Sequence, residues 1–205
     1  MTKVAILGFG TVGSGVAEVL SKNSQGIARR SGGEIQVKYI LDVRDFPDSP
    51  FKDCFVKDFS IIENDPEVDV VVETIGGAKV ALEFTTRALK AGKSVVSSNK
   101  ELVATHGYEL LQLAKANGVS YLFEASVGGG IPVLHPLTQC MAANRIDEVY
   151  GILNGTTNYI LTRMVRAGTT FADALKEAQE KGYAEADPTA DVEGVDAGRK
   201  ICILA

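Results

Sequence analysis

The stretch KVAILGFGTVGSGV at the start of the chain constrains its fold more than any other segment. An apolar run from Val4 to Leu7 leads directly into Gly8-x-Gly10-x-x-Gly13, and a helical pattern through Val16, Val19 and Leu20 follows. A strand, then spaced glycines, then a helix is the context in which this pattern reads as a turn that cradles a dinucleotide. Gly8 can take the tight turn, Gly10 lets the backbone approach a pyrophosphate, and Gly13 lets the helix lie close on the strand. The helix that begins near Thr11 turns its unpaired N–H groups and positive dipole end toward the phosphates. The candidate cofactor turn is therefore Gly8, Phe9, Gly10, Thr11, Val12 and Gly13. A glycine-rich turn that binds nothing is the competing reading, and the order of the elements weighs against it.

Strand-like and helix-like segments alternate down the chain, which predicts an α/β fold with a mostly parallel sheet. A polar loop is expected over residues 22–34 and a second strand over 35–42. Further strands are expected over 69–74, 94–99 and 120–125, with helices over 80–91 and 101–117. The pattern changes near residue 144. Residues 147–153 read as a strand, 154–165 and 171–181 as helices, and the chain closes on a helix that ends in the apolar run ICILA. Two domains are expected, 1–144 for nucleotide binding and 145–205 as an incomplete α+β substrate domain. On that reading the chain is cut inside its second domain, leaving apolar surface uncovered around Ile201, Ile203 and Leu204.

Hydrophobic residues make up 45% of the chain, enough for a substantial core, yet no apolar run approaches the ~20 residues of a membrane span. Nothing at the N-terminus reads as a secretion signal. Cys54, Cys140 and Cys202 are widely spaced and form no metal-ligand pattern, which points to a reduced, cytoplasmic protein. A net charge of -5 with no basic stripe argues against nucleic acid as a partner. Arg29-Arg30 is a tight basic pair, and it falls in the expected loop.

Five segments, GFGTVGSGV, SSNKELVA (97–104), EASVGGGIP (124–132), NGTTNYIL (154–161) and EADPTADVEGVDAGRK (185–200), occur in this order. Together they resemble homoserine dehydrogenase over essentially the whole chain. The first motif is shared by many nucleotide-binding enzymes, whereas the last three are specific to that family. The resemblance implies a Rossmann-type domain followed by part of a substrate domain. It implies interconversion of L-homoserine and L-aspartate 4-semialdehyde with NADP or NAD, in threonine, methionine and isoleucine biosynthesis. It also implies a homodimer in the intact enzyme.

Reducing an aldehyde needs a hydride at carbon and a proton at the developing alkoxide. A positioned lysine suits the second task, because burial or nearby cations can bring a lysine pKa from ~10.4 toward ~7–8. Asp196 and Lys200 stand four apart and share one face of a helix. On spacing alone they are an exposed ion pair; the resemblance makes Lys200 the general acid in reduction and base in oxidation, with Asp196 as its partner and a substrate ligand. The acids Glu185, Asp187 and Asp191 precede that helix, where a substrate α-ammonium needs counter-charge. The resemblance places Glu185 and Asp191 in the substrate site; Asp187 reads as loop chemistry, and Asp191 reads equally as a helix cap. In the Asn154–Asn158 turn, Gly155, Thr156 and Thr157 can present N–H and hydroxyl groups to a substrate carboxylate.

Lys100 follows a strand at the sheet edge where ligands bind, and a cation there opposes the dipole of its own helix. The resemblance places it at the cofactor and active site, as a second candidate for proton handling. Arg44, Thr74 and Ser98 complete the cofactor set. Asp42 can accept hydrogen bonds from a ribose 2′-OH, favouring NAD, whereas Arg44 can pair with a 2′-phosphate, favouring NADP; the two leave the choice open. Glu124, Val127, Gly129 and Ile131 match positions that hold a monovalent cation such as sodium in the family, largely through backbone carbonyls. A non-catalytic NAD(P)-binding regulatory module, or an oxidoreductase for another small aldehyde, are the alternatives.

Overall fold

The computed structural model describes residues 1–205, which form two compact units, Met1–His135 and Pro136–Ala205. In the first unit β1 (Thr2–Leu7) is followed by α1 (Thr11–Lys22), α2 (Ser24–Ser31), β2 (Ile35–Leu41), β3 (Phe55–Val56) and α3 (Phe59–Glu63). Then come β4 (Val70–Glu73), α4 (Lys79–Lys90), β5 (Ser94–Ser97), α5 (Lys100–Ala116) and β6 (Tyr121–Leu122). All strand pairs are parallel, in the order β3-β2-β1-β4-β5-β6. The order reverses at β1, and the crevice outside the carboxyl ends of β1 and β4 is where such a sheet takes its ligand.

The central strands read as continuous apolar runs because helices cover both faces of a parallel sheet. Ala5, Ile6, Leu7, Val71 and Val95 are wholly buried. Val4 pairs with Val37 and Val70 on its two sides, and a bulge between Val4 and Ala5 shifts the β1–β2 register. The shift ends with Leu7 opposite Leu41, so Gly8 and Asp42 leave the sheet side by side.

Several local expectations need correction. Residues 22–34 are not a loop throughout: α2 forms there and stops at Gly32, whose φ of 78° is left-handed. Arg29 and Arg30 thus lie in the last turn of a helix, where cations complement the dipole. β3 and α3 leave no mark in the sequence pattern because each is too short for its period to show. β6 is confined to Tyr121–Leu122, since only Val95 and Val96 of β5 pair with it.

In the second unit α6 (Gly155–Ala167) packs on α7 (Phe171–Glu180), and α8 (Thr189–Val192) precedes α9 (Val195–Leu204). Ile160 fills a cluster with Ala174, Ala178 and Ala184, whose small side chains let the helices come close. The strand expected over 147–153 does not form, and Tyr150 and Ile152 are 87% and 77% exposed. An extended segment becomes a strand only by pairing, and every regular element of this unit except a π-turn at Pro136–Cys140 is an α-helix. No residue of α9 is buried, and Ile201 is exposed. No helix is long and apolar enough to cross a membrane.

Candidate functional site

In the first unit the glycine turn behaves as its spacing predicts. Gly8 has φ +90°, and a Cβ on Gly13 would sit 1.9 Å from the Gly8 carbonyl oxygen, so the helix start presses directly on the turn. A Cβ on Gly10 would meet nothing within 4 Å. The fold therefore requires glycine at 8 and 13, while at 10 only a ligand outside the protein would require it. Gly10 caps α1 without a side-chain hydrogen bond, so the N–H groups of Thr11, Val12 and Gly13 have no partner within the helix. Val12 and Thr11 are exposed at this end.

Phe9 serves the fold instead of facing the crevice. Its N–H donates to Asp42 Oδ2 at 2.7 Å, and its ring packs edge-on against Phe46 and Phe55, each with centroids 5.0 Å away. Thr74 braces the turn: its hydroxyl donates to the carbonyls of Leu7 (2.8 Å) and Gly8 (3.1 Å).

A cavity of about 490 Å³ opens beside the turn, between Gly8 and Gly10, the Asp42–Arg44 segment, and Thr74, Ile75 and Gly76. Asp42 is not the open ribose acceptor expected of it. Besides Phe9, it takes the Arg44 N–H at 2.9 Å, Nε at 3.1 Å and Nη2 at 3.0 Å. The Arg44 guanidinium holds the Asp42 carboxyl well below the usual carboxylate range, against the opposing effect of burial, with the backbone N–H groups of Arg44 and Phe9 adding to it. Lys57 also lines the cavity, its Nζ donating to the carbonyls of Asp42 (3.1 Å), Val43 (3.1 Å) and Arg44 (2.6 Å). Nothing in the sequence marks Lys57 for this place, because it lies beyond a loop whose path no local pattern reveals. Ser98 and Lys100 follow β5 at the same end of the sheet, with Lys100 the first residue of α5. Asn99, not Lys100, is the cap of that helix, accepting the Leu102 N–H at 3.0 Å.

At the expected cation site the Glu124 side chain is held by the chain's own backbone. The Glu124 carboxylate accepts the backbone N–H groups of Val133, Leu134 (2.9 Å) and His135 (2.7 Å). Burial pushes its carboxyl up, but those donors outweigh it and leave the pKa below the usual value. Val127 is buried, whereas Gly129 and Ile131 are exposed.

The second unit carries a polar cluster with Asn154 at its centre. Asn154 Oδ1 caps α6 by accepting the Thr157 N–H at 2.8 Å and binds the Thr157 hydroxyl at 2.9 Å. Its Nδ2 donates to Asp191 Oδ1 at 2.7 Å and Asp196 Oδ2 at 3.1 Å. Lys200 Nζ lies 3.0 Å from Asp196 Oδ2 and donates to the Leu153 carbonyl at 2.6 Å, with the two charged side chains 17% and 16% exposed. The Asp196–Lys200 pair is thus no solvated surface bridge. Asp191 is held in this network instead of capping α9, whose N-cap is Gly194.

Of the acids Glu185, Asp187 and Asp191 ahead of α9, Asp191 joins the cluster and the other two stand outside it. Asp187 receives the Thr189 N–H (3.1 Å) and hydroxyl (2.5 Å), the loop role read for it, and Glu185 stands exposed outside the hydrogen bonds of the cluster. Thr156 turns inward, its hydroxyl donating to the Tyr183 carbonyl at 2.8 Å. Gly155 is the first residue of α6 and remains exposed.

The parallel sheet reversing at a glycine turn, with an open helix N-terminus beside a cavity, defines a Rossmann-type dinucleotide-binding domain. The family model "Homoserine dehydrogenase, NAD binding domain" matches residues 8–124, and the model "Homoserine dehydrogenase" matches residues 132–205. A homoserine dehydrogenase of Pseudomonas aeruginosa is 49% identical over 205 residues, covering 99% of this chain and 47% of the relative. The crystal structure of a homoserine dehydrogenase from Thiobacillus denitrificans superposes with a TM-score of 0.90 at 44% identity, over 99% of this chain and 48% of that one. A hyperthermophilic archaeal homoserine dehydrogenase in complex with NADPH gives 0.84 at 30% identity, over 99% and 68%. The chain belongs to the homoserine dehydrogenase family. It spans about half the length of the first two of these relatives.

Proposed function

We propose that the chain carries the dinucleotide domain and the proton-transfer pair of an oxidoreductase that interconverts L-homoserine and L-aspartate 4-semialdehyde. The observation that carries this reading is the Asn154–Asp196–Lys200 cluster in a chain whose other unit has an open glycine turn. The bound dinucleotide would accept hydride from the carbinol carbon of homoserine, or return it to the aldehyde carbon.

Lys200 does the proton work. An ammonium has three N–H donors, and the Leu153 carbonyl and Asp196 use two of them. The third can go to the alkoxide that forms on reduction; in oxidation the neutral amine takes the hydroxyl proton. Asp196 fixes the direction of the ammonium, and Asn154 fixes Asp196. Asp196 is also assigned to the substrate, with Asp191 and Glu185 as further counter-charge for its α-ammonium and the α6 N-terminus at Gly155 and Thr157 for its carboxylate. The Lys100 side chain serves the cofactor.

Arg44 and Lys57, two cations at one cavity beside an occupied Asp42, favour NADP over NAD. The NADPH held by the archaeal relative accords with that choice. Cys54, Cys140 and Cys202 form no disulfide, which fits a reducing cytoplasm, and the partner is a small molecule, with two copies of the enzyme pairing as a homodimer.

A steady-state assay with homoserine and either cofactor, reading absorbance of the reduced form in the full-length polypeptide, tests the reading. Homoserine-dependent reduction of NADP is expected to exceed that of NAD. Arg44→Ala combined with Lys57→Ala should lower kcat/KM for NADP about 10- to 100-fold, the range for losing hydrogen bonds to a charged group, and leave NAD little changed. Absence of homoserine-dependent reduction with both cofactors would overturn the assignment.

A further inference from the structure

Glu73 ends β4 at the edge of the crevice, yet its side chain is wholly buried. Its two carboxylate oxygens face different segments. Oε1 accepts the Ile75 N–H at 2.7 Å, and Oε2 accepts the Ser97 hydroxyl at 2.5 Å. Ser97 in turn receives the Asn99 N–H at 3.0 Å. The Asn99 side chain returns the link, Nδ2 donating to the carbonyls of Ile75 (3.0 Å) and Gly77 (2.7 Å) while Oδ1 caps α5. The result is a closed ring of hydrogen bonds between the segment leaving β4 and the segment leaving β5.

A buried carboxyl is a costly way to join two strands. Removing it from water disfavours its charge by several kcal/mol unless donors compensate, and burial does push the Glu73 carboxyl above its ordinary range despite those donors. Valine, as at Val71 on the same strand, would bury without that cost. Sequences tend to break local rules where function demands it. Both joined segments border the crevice: one supplies Thr74, Ile75 and Gly76 to the cavity, and the other starts the helix whose first residue is Lys100. At 0% exposure Glu73 cannot itself touch a ligand.

We propose that Glu73 is a positioning residue, its buried carboxyl setting the β4 and β5 exit segments in the one spacing that binds the dinucleotide. The inference rests on the dinucleotide reading above. Asn99 both caps α5 and closes the ring, so the cap is also the clasp. Removing one acceptor frees the segments to separate without unfolding the sheet, whose strand ladder on β4 runs from Val70 to Glu73 on both sides.

Calorimetric titration of the chain with NADPH tests this, alongside thermal unfolding of each variant. Glu73→Gln, which presents an amide to one of two donors, should weaken NADPH binding at least tenfold at a temperature where it is fully folded. Ser97→Ala, which cuts only the β5 arm, should weaken it severalfold. Val71→Ala, a cavity in the same strand, should lower the melting temperature and keep the original affinity. If Glu73→Gln does not fold, Ser97→Ala decides. Unchanged affinity in a folded Glu73→Gln or Ser97→Ala variant overturns the proposal, as does an equal loss in Val71→Ala, which would reduce the effect to general stability. An unsubstituted chain that binds neither NADPH nor NAD would sink the dinucleotide reading as well, so the two failures are distinguishable.

Discussion

Lys200→Ala is expected to lower turnover of homoserine about 10²-fold or more, the usual scale for loss of a general acid or base. That corresponds to about 2.7 kcal/mol of transition-state stabilisation. Cofactor affinity should stay near its original value, because every residue assigned to the dinucleotide lies in Met1–His135, whereas Lys200 belongs to Pro136–Ala205. The loss should appear in kcat more than in KM for homoserine, since the third ammonium N–H acts on charge that develops only as the reaction proceeds.

Asp196→Asn should behave differently. Its Oδ2 receives both Lys200 and the Asn154 amide, and an amide oxygen in its place can still accept from both but no longer carries the charge that holds the ammonium. Turnover should fall and homoserine binding should weaken together, because one carboxylate both aims the lysine and meets the substrate. Steady-state kinetics on both variants decides the matter. Near-original turnover in Lys200→Ala would move proton transfer to Lys100 or to water and end the role assigned to Lys200.

The second large effect separates two glycines three residues apart in one motif. Gly13→Ala drives a methyl group against the Gly8 carbonyl at 1.9 Å, backbone against backbone. A clash of this kind costs about 3 kcal/mol, a fall in Tm on the order of 10 °C, and binding is lost with the fold. Gly10→Ala meets nothing within 4 Å, and the φ of -80° there suits alanine. It should cost no more than about 1 kcal/mol, mainly as a poorer helix cap, yet weaken NADPH binding about tenfold or more by standing where the pyrophosphate approaches. Thermal unfolding and calorimetry on the two variants read both effects. Full affinity in folded Gly10→Ala would make the whole turn structural.

The contrast between those glycines shows how the chain's information is distributed. The turn is legible because its elements are contiguous: an apolar run, three spaced glycines and a helical period need no distant partner to be read. The same holds for Asp196 and Lys200, which one helix turn brings together, and for Asn154 at the head of α6. Order and type of most elements follow from period alone.

What only the tertiary structure decided depends on groups far apart in sequence. Asp42 looks open to a ribose until the fold brings Phe9, 33 residues away, to its second oxygen. Lys57 enters the cavity because β3 pairs beside β2. Glu73 carries no mark of its role in an apolar strand, since nothing local shows that Ser97, 24 residues on, donates to it. Residues 147–153 read as a strand, but a strand exists only where another edge pairs with it. Local sequence sets which conformation each segment prefers; which polar groups are satisfied, and by whom, is settled when distant backbones and side chains are packed together out of water.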